Sequence, residues 1–199
     1  DQKFITSINT NMVGQHNVLN TLAAIAVLEE IGVSCETLLP ALKDFLGVKR
    51  RFNHISPSEG FLVIDDYAHH PTEIKAVLKA AKEAFLGKKI NVLFQPHRFS
   101  RTKDLMDDFA TCFKDCDSLV ITDIYAASEE PIDGVSTSVL IRRIKELSGL
   151  SATHAYALID GAQKIVEHAQ VDDAFLVLGA GSITNAAPMI VDLLKEKNA

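Results

Sequence analysis

The sequence is poor in several features that mark particular classes of protein. Its 199 residues include three cysteines, an odd number without regular spacing, so reduced thiols in a cytoplasmic protein are expected rather than a disulfide framework. No apolar run reaches the roughly 18 residues of a membrane span, and Asp1-Gln2-Lys3 does not begin like a secretory signal. The net charge of −6 argues against a general nucleic-acid-binding surface. We therefore expect a cytoplasmic protein that binds neither membranes nor nucleic acids.

Cys112 and Cys116 are four residues apart on a predicted helix, which makes a metal site conceivable. The chain has no matching second pair, so packing of two thiols is the favoured interpretation.

The apolar fraction of 47% is sufficient for a full hydrophobic core. From residue 49 onward, short apolar runs alternate with helical patterns, and this alternation predicts an α/β domain. We expect a mostly parallel sheet with helices on both faces and right-handed crossovers. The predicted strands span residues 61–64, 90–94, 118–122, 153–156 and 174–178. The predicted helices span residues 71–85, 102–113, 136–147 and 160–169, with a last one ending near 195.

Residues 1–48 have a different pattern, with a short strand at 3–8 and helices at 14–31 and 35–45. Pro40 makes one unbroken second helix less certain. The first helix has a broad apolar face but no sheet on which to pack it. We therefore interpret residues 1–48 as the tail of one domain and residues 49–199 as a second domain.

Two polar clusters follow neighbouring predicted strands. The first runs from Asp65 to Glu73 and contains Asp66, Tyr67 and His69. Helix capping and turn formation are an alternative role for its two aspartates. However, capping alone does not account for so many functional side chains in so few positions, and two histidines in a loop are able to bind a metal or move protons.

The second cluster contains His97, Arg98 and Arg101. Its two arginines lie three residues apart near a helix start, where free N–H groups favour anions. We favour binding of a carboxylate or a phosphate over the alternative of solvated surface charge, because a guanidinium group pairs with such anions through two hydrogen bonds. In a parallel sheet both clusters would lie at the carboxyl ends of the strands, where such folds bind ligands.

Other features are more ambiguous. For Lys49 and Arg50 a plain basic linker is the favoured interpretation. Gly179-Ala180-Gly181 lacks the third glycine of a dinucleotide fingerprint, so a tight turn or close approach of the backbone is favoured over NAD. His16 and Asn20 share a helix face, as do Asn17 and Asn20. Asparagine side chains either cap a helix or hold an adenine edge.

Four stretches of the chain stand out as motifs: Gly14-Gln15-His16-Asn17-Val18-Leu19-Asn20, Arg50-Arg51-Phe52, Asp65-Asp66-Tyr67-Ala68-His69-His70-Pro71-Thr72-Glu73 and Gln95-Pro96-His97-Arg98-Phe99-Ser100-Arg101-Thr102. Together they resemble the motifs of the Mur ligase family, which also has loops similar to Asp123-Ile124-Tyr125-Ala126-Ala127 and to the residues after Gly179. The resemblance covers nearly the whole chain and is greatest to the members that join L-alanine to UDP-N-acetylmuramate.

The resemblance implies a Rossmann-like C-terminal ligase domain preceded by the end of a central ATPase domain. It implies an ATP-dependent carboxylate–amine ligase (EC 6.3.2 type) of peptidoglycan synthesis, and therefore of cell wall biogenesis, cell shape and cell division. The lactyl carboxylate would take the γ-phosphoryl group of ATP, and the alanine amine would then attack the acyl phosphate. The Gly-Lys-Thr-Thr phosphate loop of the family is absent, so the ligands of Mg²⁺ would lie outside this chain, which alone is expected to be inactive.

The resemblance also assigns residues to the substrates. ATP would be bound by His16, Asn17, Asn20, Arg51 and Asp66. L-alanine would be surrounded by Tyr67, His69, His97, Arg98 and Arg101. Tyr67, His69 and Arg98 are the candidate catalytic residues, with His69 a plausible base. As a loop carboxylate, Asp66 is expected to contribute little to stability.

Two alternatives remain. A Mur ligase that reuses a recovered tripeptide shares much of the pattern, although Phe is expected there in place of Tyr67. A non-catalytic Rossmann-like module that binds a small anion would equally explain the missing phosphate loop.

Overall fold

The structure, a computed structural model, describes residues 7–45, 47–55, 60–170 and 172–199. It divides into two compact units, Asp1–Val48 and Lys49–Ala199. Most of the strand predicted at residues 3–8 lies outside the described residues, and residues 7 and 8 are not in a strand.

The first unit contains helices α1 (Gln15–Glu30) and α2 (Cys35–Asp44). The Ser34 hydroxyl accepts a hydrogen bond from Thr37 N and caps α2, which continues through Pro40 without a break. Apolar side chains of α1 are largely exposed, including Leu19 at 59% and Val27 at 64%. The apolar face predicted for this helix is therefore mostly uncovered.

The second unit is built on a six-stranded sheet with the order β1-β2-β6-β3-β4-β5. All neighbouring pairs are parallel except β1 and β2, which are antiparallel. The strands are β1 (Asn53–Ile55), β2 (Leu62–Asp66), β3 (Ile90–Phe94), β4 (Ser118–Thr122), β5 (Thr153–Ala155) and β6 (Ala174–Leu178). The predicted mostly parallel sheet is confirmed.

Helices cover both faces of this sheet, as predicted. They are α3 (Pro71–Ala84), α4 (Phe99–Asp104), α5 (Met106–Cys112), α6 (Thr137–Ser148), α7 (Leu158–Glu167) and α8 (Ala186–Asn198), with a 3₁₀ turn at Ser182–Asn185. Because side chains alternate along a strand, Ile64, Phe94 and Leu176 pack on one face with α3, α5 and α6. Val63, Leu93 and Val177 pack on the opposite face with α7 and α8.

Several local predictions were wrong. Strand β2 extends through Asp65 and Asp66 instead of ending before them, and β1 was not predicted. The helix expected at residues 102–113 is two helices that meet at Leu105. The helix expected at residues 160–169 is α7, which begins at Leu158, and the Asp160 carboxylate in its first turn accepts Tyr156 N at 3.0 Å and contacts Lys164 Nζ at 2.9 Å.

The three cysteines are buried and free. Burial raises the pKa of Cys112 and raises that of Cys116 to about 12, so both are protonated thiols that pack in the core. Across the described ranges, no group of three or more His, Cys, Asp or Glu side chains is placed to hold a metal ion. Within the same ranges, no helix combines the length and apolar character needed to cross a membrane.

Candidate active site

The loops that follow β2, β3, β4 and β6 meet at one edge of the sheet, because the carboxyl ends of parallel strands point the same way. Backbone hydrogen bonds join them: Gly179 N donates to Asp66 O at 3.2 Å, and Gln95 N donates to Leu178 O at 3.0 Å. His97 and Tyr125 form a parallel bridge beyond the ends of β3 and β4. The loops are thus held in fixed register just where the polar clusters lie.

Four rings form a row across this edge. Tyr67 and His69 have ring centroids 5.1 Å apart, His69 and His97 are 6.0 Å apart, and His97 stacks on Tyr125 at 5.4 Å with an interplanar angle of 19°. We call these four residues the ring row. The predicted neighbours Tyr67, His69 and His97 are thus brought together, and Tyr125 joins them.

His69 is oriented by the loop that starts α3. Its Nδ1 lies 2.9 Å from the carbonyl oxygen of Tyr67. Because a carbonyl oxygen only accepts, Nδ1 of His69 carries the hydrogen, and Nε2 of the neutral ring is left as an acceptor. Nδ1 of His69 is also 3.3 Å from the Glu73 carboxylate, which stabilises the ring when it gains a proton.

Glu73 anchors this loop through a capping box. Its carboxylate accepts His69 N at 3.0 Å and His70 N at 3.2 Å, while His70 Nδ1 accepts Thr72 N at 3.3 Å. Burial alone would raise the pKa of the Glu73 carboxyl, but these hydrogen bonds and the nearby positive charges lower it overall. His70 is therefore a helix cap, and Glu73 is a carboxylate that steadies His69.

His97 has the opposite arrangement. Its Nδ1 lies 3.3 Å from Arg101 Nη1, a donor, so Nδ1 is the acceptor and the hydrogen of the neutral ring is on Nε2. Burial lowers the pKa of His97, and the positive charge of Arg101 lowers it further. His97 is thus held neutral and presents an N–H group, whereas His69 presents an unprotonated nitrogen.

Arg98 lies at the N-cap of α4 with φ 75° and ψ 137°, a backbone conformation that residues other than glycine rarely adopt. Its side chain is half exposed, and Nη1 is 3.8 Å from Glu129 Oε1. The first turn of α4 was expected to offer free N–H groups to an anion. Instead, Ser100 N already donates to Glu129 Oε2 at 3.0 Å. A ligand anion here would therefore meet the side chains of Arg98 and Arg101 and not the N–H of Ser100.

Asp66 differs from the expectation of a loop carboxylate. It is 2% exposed, and its two oxygens accept Phe52 N and Ala68 N, each at 2.7 Å. Asp66 does not cap α3, its alternative role, since His70 is the N-cap residue. Because loss of the Asp66 carboxylate would leave two N–H groups without an acceptor, we now expect it to contribute more to stability than an exposed loop carboxylate does.

Asp65 and Arg50 form a second buried contact. The Asp65 carboxylate accepts the Thr184 hydroxyl at 2.7 Å and lies 3.6 Å from Arg50 Nε. Arg50 Nη2 donates to the carbonyl of Gly179, and the guanidinium lies 4.9 Å from the Tyr67 ring centroid. Arg50 is thus a structural residue that ties the start of the second unit to the loop after β6, rather than a plain linker residue. Arg51 is exposed.

The glycines after β6 allow close packing inside the protein. A Cβ on Gly179 would lie 2.8 Å from Gln95 O, and one on Gly181 would lie 2.6 Å from Gln95 Oε1 and 2.7 Å from Tyr125 Cγ. Gln95 Oε1 also accepts Ile183 N at 3.1 Å. The close approach expected here is therefore to the protein's own Gln95 and Tyr125.

The remaining candidates, His16, Asn17 and Asn20, belong to the first unit. Asn17 is 8% exposed, and its Nδ2 donates to Val13 O at 2.8 Å, which fixes the segment before α1. Asn20 is exposed and His16 is partly buried. Asn17 does not cap α1, because the N-cap position is occupied by Gly14.

Three residues at the edge were missed by sequence reasoning: Tyr125, Ser100 and Glu129. Tyr125 and Ser100 lie in motifs that the sequence identified and Glu129 lies just beyond one, yet none was given a role, because each is defined by its contact with a residue on another loop. The spacing of 29 residues between Ser100 and Glu129 leaves no local signal.

The mostly parallel α/β unit is a Rossmann-like domain, and the carboxyl ends of its strands carry two differently oriented histidines and two arginines, side chains whose chemistry suits a small anionic molecule. Comparison with known proteins specifies it further. A model of the family "Mur ligase, glutamate ligase domain" matches residues 50–181. The UDP-N-acetylmuramate–L-alanine ligase of Dichelobacter nodosus is 46% identical over 97% of this chain and 41% of its own length.

Two solved structures extend this similarity. The UDP-N-acetylmuramate–alanine ligase MurC of Thermotoga maritima is 32% identical, with a TM-score of 0.75 over 97% of this chain and 41% of that one. A murein peptide ligase of Psychrobacter arcticus is 28% identical, with a TM-score of 0.67 over 94% of this chain and 38% of that one. The chain belongs to the Mur ligase family, and it spans about two fifths of the length of the curated relatives that it matches.

Proposed function

We propose that this chain is the C-terminal part of an ATP-dependent ligase that joins L-alanine to UDP-N-acetylmuramate in peptidoglycan synthesis in the cytoplasm. The observation that carries the proposal is the edge itself, where His69 and His97 lie 6.0 Å apart beside Arg98 and Arg101. The 46% identity to a ligase of that name supports the substrates.

The amino-acid substrate is a zwitterion, and each of its charges needs a counterpart. Arg98 and Arg101 supply guanidinium groups that match a carboxylate. His97, held neutral by burial and by Arg101, adds an N–H donor without adding a third charge. The carboxylate would thus be held by cations, leaving the amine to face the acyl group.

The substrate ammonium must lose a proton before it attacks the acyl phosphate. His69 is the candidate base because its Nδ1 hydrogen is directed to the Tyr67 carbonyl and its Nε2 is free to accept. Glu73, whose pKa is lowered, remains ionised and stabilises the imidazolium that forms. Tyr67 contributes its ring to the same row.

The nucleotide part of the proposal rests on the resemblance. Residues 1–48 would be the tail of the central ATP-binding domain, with His16, Asn17 and Asn20 near the adenine. In support, the matched family domain begins only at residue 50. Arg51 is exposed and suited to direct contact, whereas buried Asp66 would act by fixing the loop that carries Tyr67. When bound, Mg²⁺ would neutralise phosphate charge; the described residues of this chain do not form a metal site of their own.

The test is ATP-dependent phosphate release by the complete polypeptide that contains this chain, with UDP-N-acetylmuramate and either L-alanine or the recovered tripeptide. We expect release with L-alanine. Release with the tripeptide and not with L-alanine would identify the recycling ligase instead. No release with either substrate, together with retained binding of a small carboxylate, would indicate a non-catalytic binding module.

A further inference from the structure

Glu129 lies in the loop that follows β4, outside the residues assigned to any substrate. We infer that Glu129 is a positioning residue that holds Arg98 ready for the carboxylate of the amino-acid substrate. This inference rests on the proposed function, because it concerns how the same edge binds that substrate.

The contacts of Glu129 join it to the cluster after β3. Oε1 accepts the Ser100 hydroxyl at 2.6 Å, and Oε2 accepts Ser100 N at 3.0 Å. Oε1 is also 3.8 Å from Arg98 Nη1. The Glu129 side chain is 23% exposed, whereas that of Arg98 is 50% exposed. The carboxylate is therefore held by Ser100, and the more exposed guanidinium lies beside it.

The backbone holds Glu129 in this position at a cost. Glu129 N donates to Ala126 O at 3.0 Å and closes a tight turn. Both central residues, Ala127 and Ser128, have positive φ, at 50° and 70°, where glycine or asparagine is preferred. Arg98, on the opposite side of the contact, is also at positive φ. Strained residues on both sides of one contact are typical of a functional arrangement.

The two loops are also paired directly. Arg98 N donates to Tyr125 O and Tyr125 N donates to Pro96 O, each at 2.8 Å. Glu129 thus lies on a loop that is hydrogen-bonded through its backbone to the segment that carries Arg98. A substrate carboxylate then meets an arginine whose backbone position and ion-pair partner are already set by these two loops, which favours binding.

Charge supports the same role. Hydrogen bonds from the Ser100 hydroxyl and N–H lower the pKa of Glu129, so the carboxylate is ionised at neutral pH. It offsets one of the two neighbouring guanidinium charges, Arg98 and Arg101. Glu129, Arg98 and Arg101 together keep one net positive charge, which matches the single carboxylate of the substrate. A helix cap alone would affect only stability, whereas a positioning residue affects binding of one substrate.

The experiment is Glu129→Gln in the complete polypeptide, with Glu130→Gln as the matched control because Glu130 is the exposed neighbour. We expect Glu129→Gln to raise KM for L-alanine about two- to fivefold, the range for loss of one partly exposed ion pair. KM for ATP and for UDP-N-acetylmuramate should change little. Glu130→Gln should resemble the wild type.

A double variant tests whether Glu129 acts through Arg98. Arg98→Ala should raise KM for L-alanine by about ten- to a hundredfold, as for loss of a charge-assisted bond. Adding Glu129→Gln to Arg98→Ala should then raise it no further. Ser100→Ala, which removes one hydrogen bond without a change of charge, should give a smaller rise than Glu129→Gln and serves if the latter fails to fold.

The outcomes separate the two proposals. If Arg98→Ala raises KM for L-alanine but Glu129→Gln and Ser100→Ala do not, only the positioning role is wrong. An undiminished effect of Glu129→Gln in the Arg98→Ala background would likewise overturn it. If Arg98→Ala leaves KM for L-alanine unchanged, the assignment of Arg98 in the proposed function fails and the positioning role fails with it.

Discussion

At position 98, glycine should give a more stable fold than alanine, although both substitutions remove the side chain proposed to bind the substrate. With φ 75° and ψ 137°, the backbone of Arg98 lies where a side chain is strained. We compare Arg98→Gly with Arg98→Ala, since both remove the guanidinium and its contact with Glu129. Only the glycine variant also removes the steric conflict of the Cβ atom.

The magnitude follows from opposing effects. Relief of strain at such a residue contributes about 1–3 kcal/mol, and the extra freedom of glycine in the unfolded chain costs about 0.5–1 kcal/mol. The lost contact at 3.8 Å, to a half-exposed side chain, contributes at most about 1 kcal/mol and is common to both variants. Arg98→Gly should therefore be more stable than Arg98→Ala by about 1 kcal/mol, or about 2–4 °C in Tm.

Thermal and urea unfolding of the two variants measure this difference. Arg101 provides the matched control, because it is the same residue type within the helical turns of α4. There glycine should be less stable than alanine by about 1 kcal/mol. If Arg98→Gly proves no more stable than Arg98→Ala, while the control behaves as expected, Arg98 is not strained and the argument from strain fails.

Three further outcomes are expected. Asp66→Ala should reduce the free energy of unfolding by about 2–4 kcal/mol, because two N–H groups lose a buried acceptor; urea unfolding showing a change below 1 kcal/mol would contradict this. Because the folded pKa of His97 is below the ordinary value, its contribution is fully present above the unfolded pKa, near 6.5, and is lost as pH falls from there toward the folded pKa. His97→Gln should therefore lose less stability than the wild type between pH 7.5 and 5.5, and equal losses in the two proteins would refute this. Gly181→Ala should destabilise by about 1–3 kcal/mol through conflict with Gln95 and Tyr125, and a Tm equal to that of the wild type would show that the loop adapts freely.

The sequence predicted the sheet well where strands are apolar and buried. Strands β3, β4 and β6 have the predicted bounds because each is a short apolar run with turn residues beyond it. Strand β1 was missed since its three residues, Asn53, His54 and Ile55, carry no such pattern and pair at the edge only through β2. The extension of β2 through Asp65 and Asp66 also escaped prediction, because the residues that pair with them, Val177 and Leu178 of β6, are distant in sequence.

The candidate site was predicted to a similar extent. The motifs identified Tyr67, His69, His97, Arg98 and Arg101 from their residue types, and the topology brings their loops to one edge. The two histidines differ in which ring nitrogen carries the hydrogen, and this depends on the group that Nδ1 faces: a carbonyl for His69 and a guanidinium for His97. Such contacts are set by loop geometry, which no residue spacing records.

The position of β6 in the sheet has a consequence for how the domain is made. This strand lies between β2 and β3 but follows all other strands in the chain. During synthesis, β6 is the last of these strands to emerge, so until then β2 and β3 each lack the strand that pairs with their inner edge. They join only when Ala174–Leu178 is inserted between them, which is a late closure over long sequence distances. Until then the exposed edges are open to pairing with other chains, so ribosome stalling before residue 174 should leave an aggregation-prone intermediate dependent on chaperones.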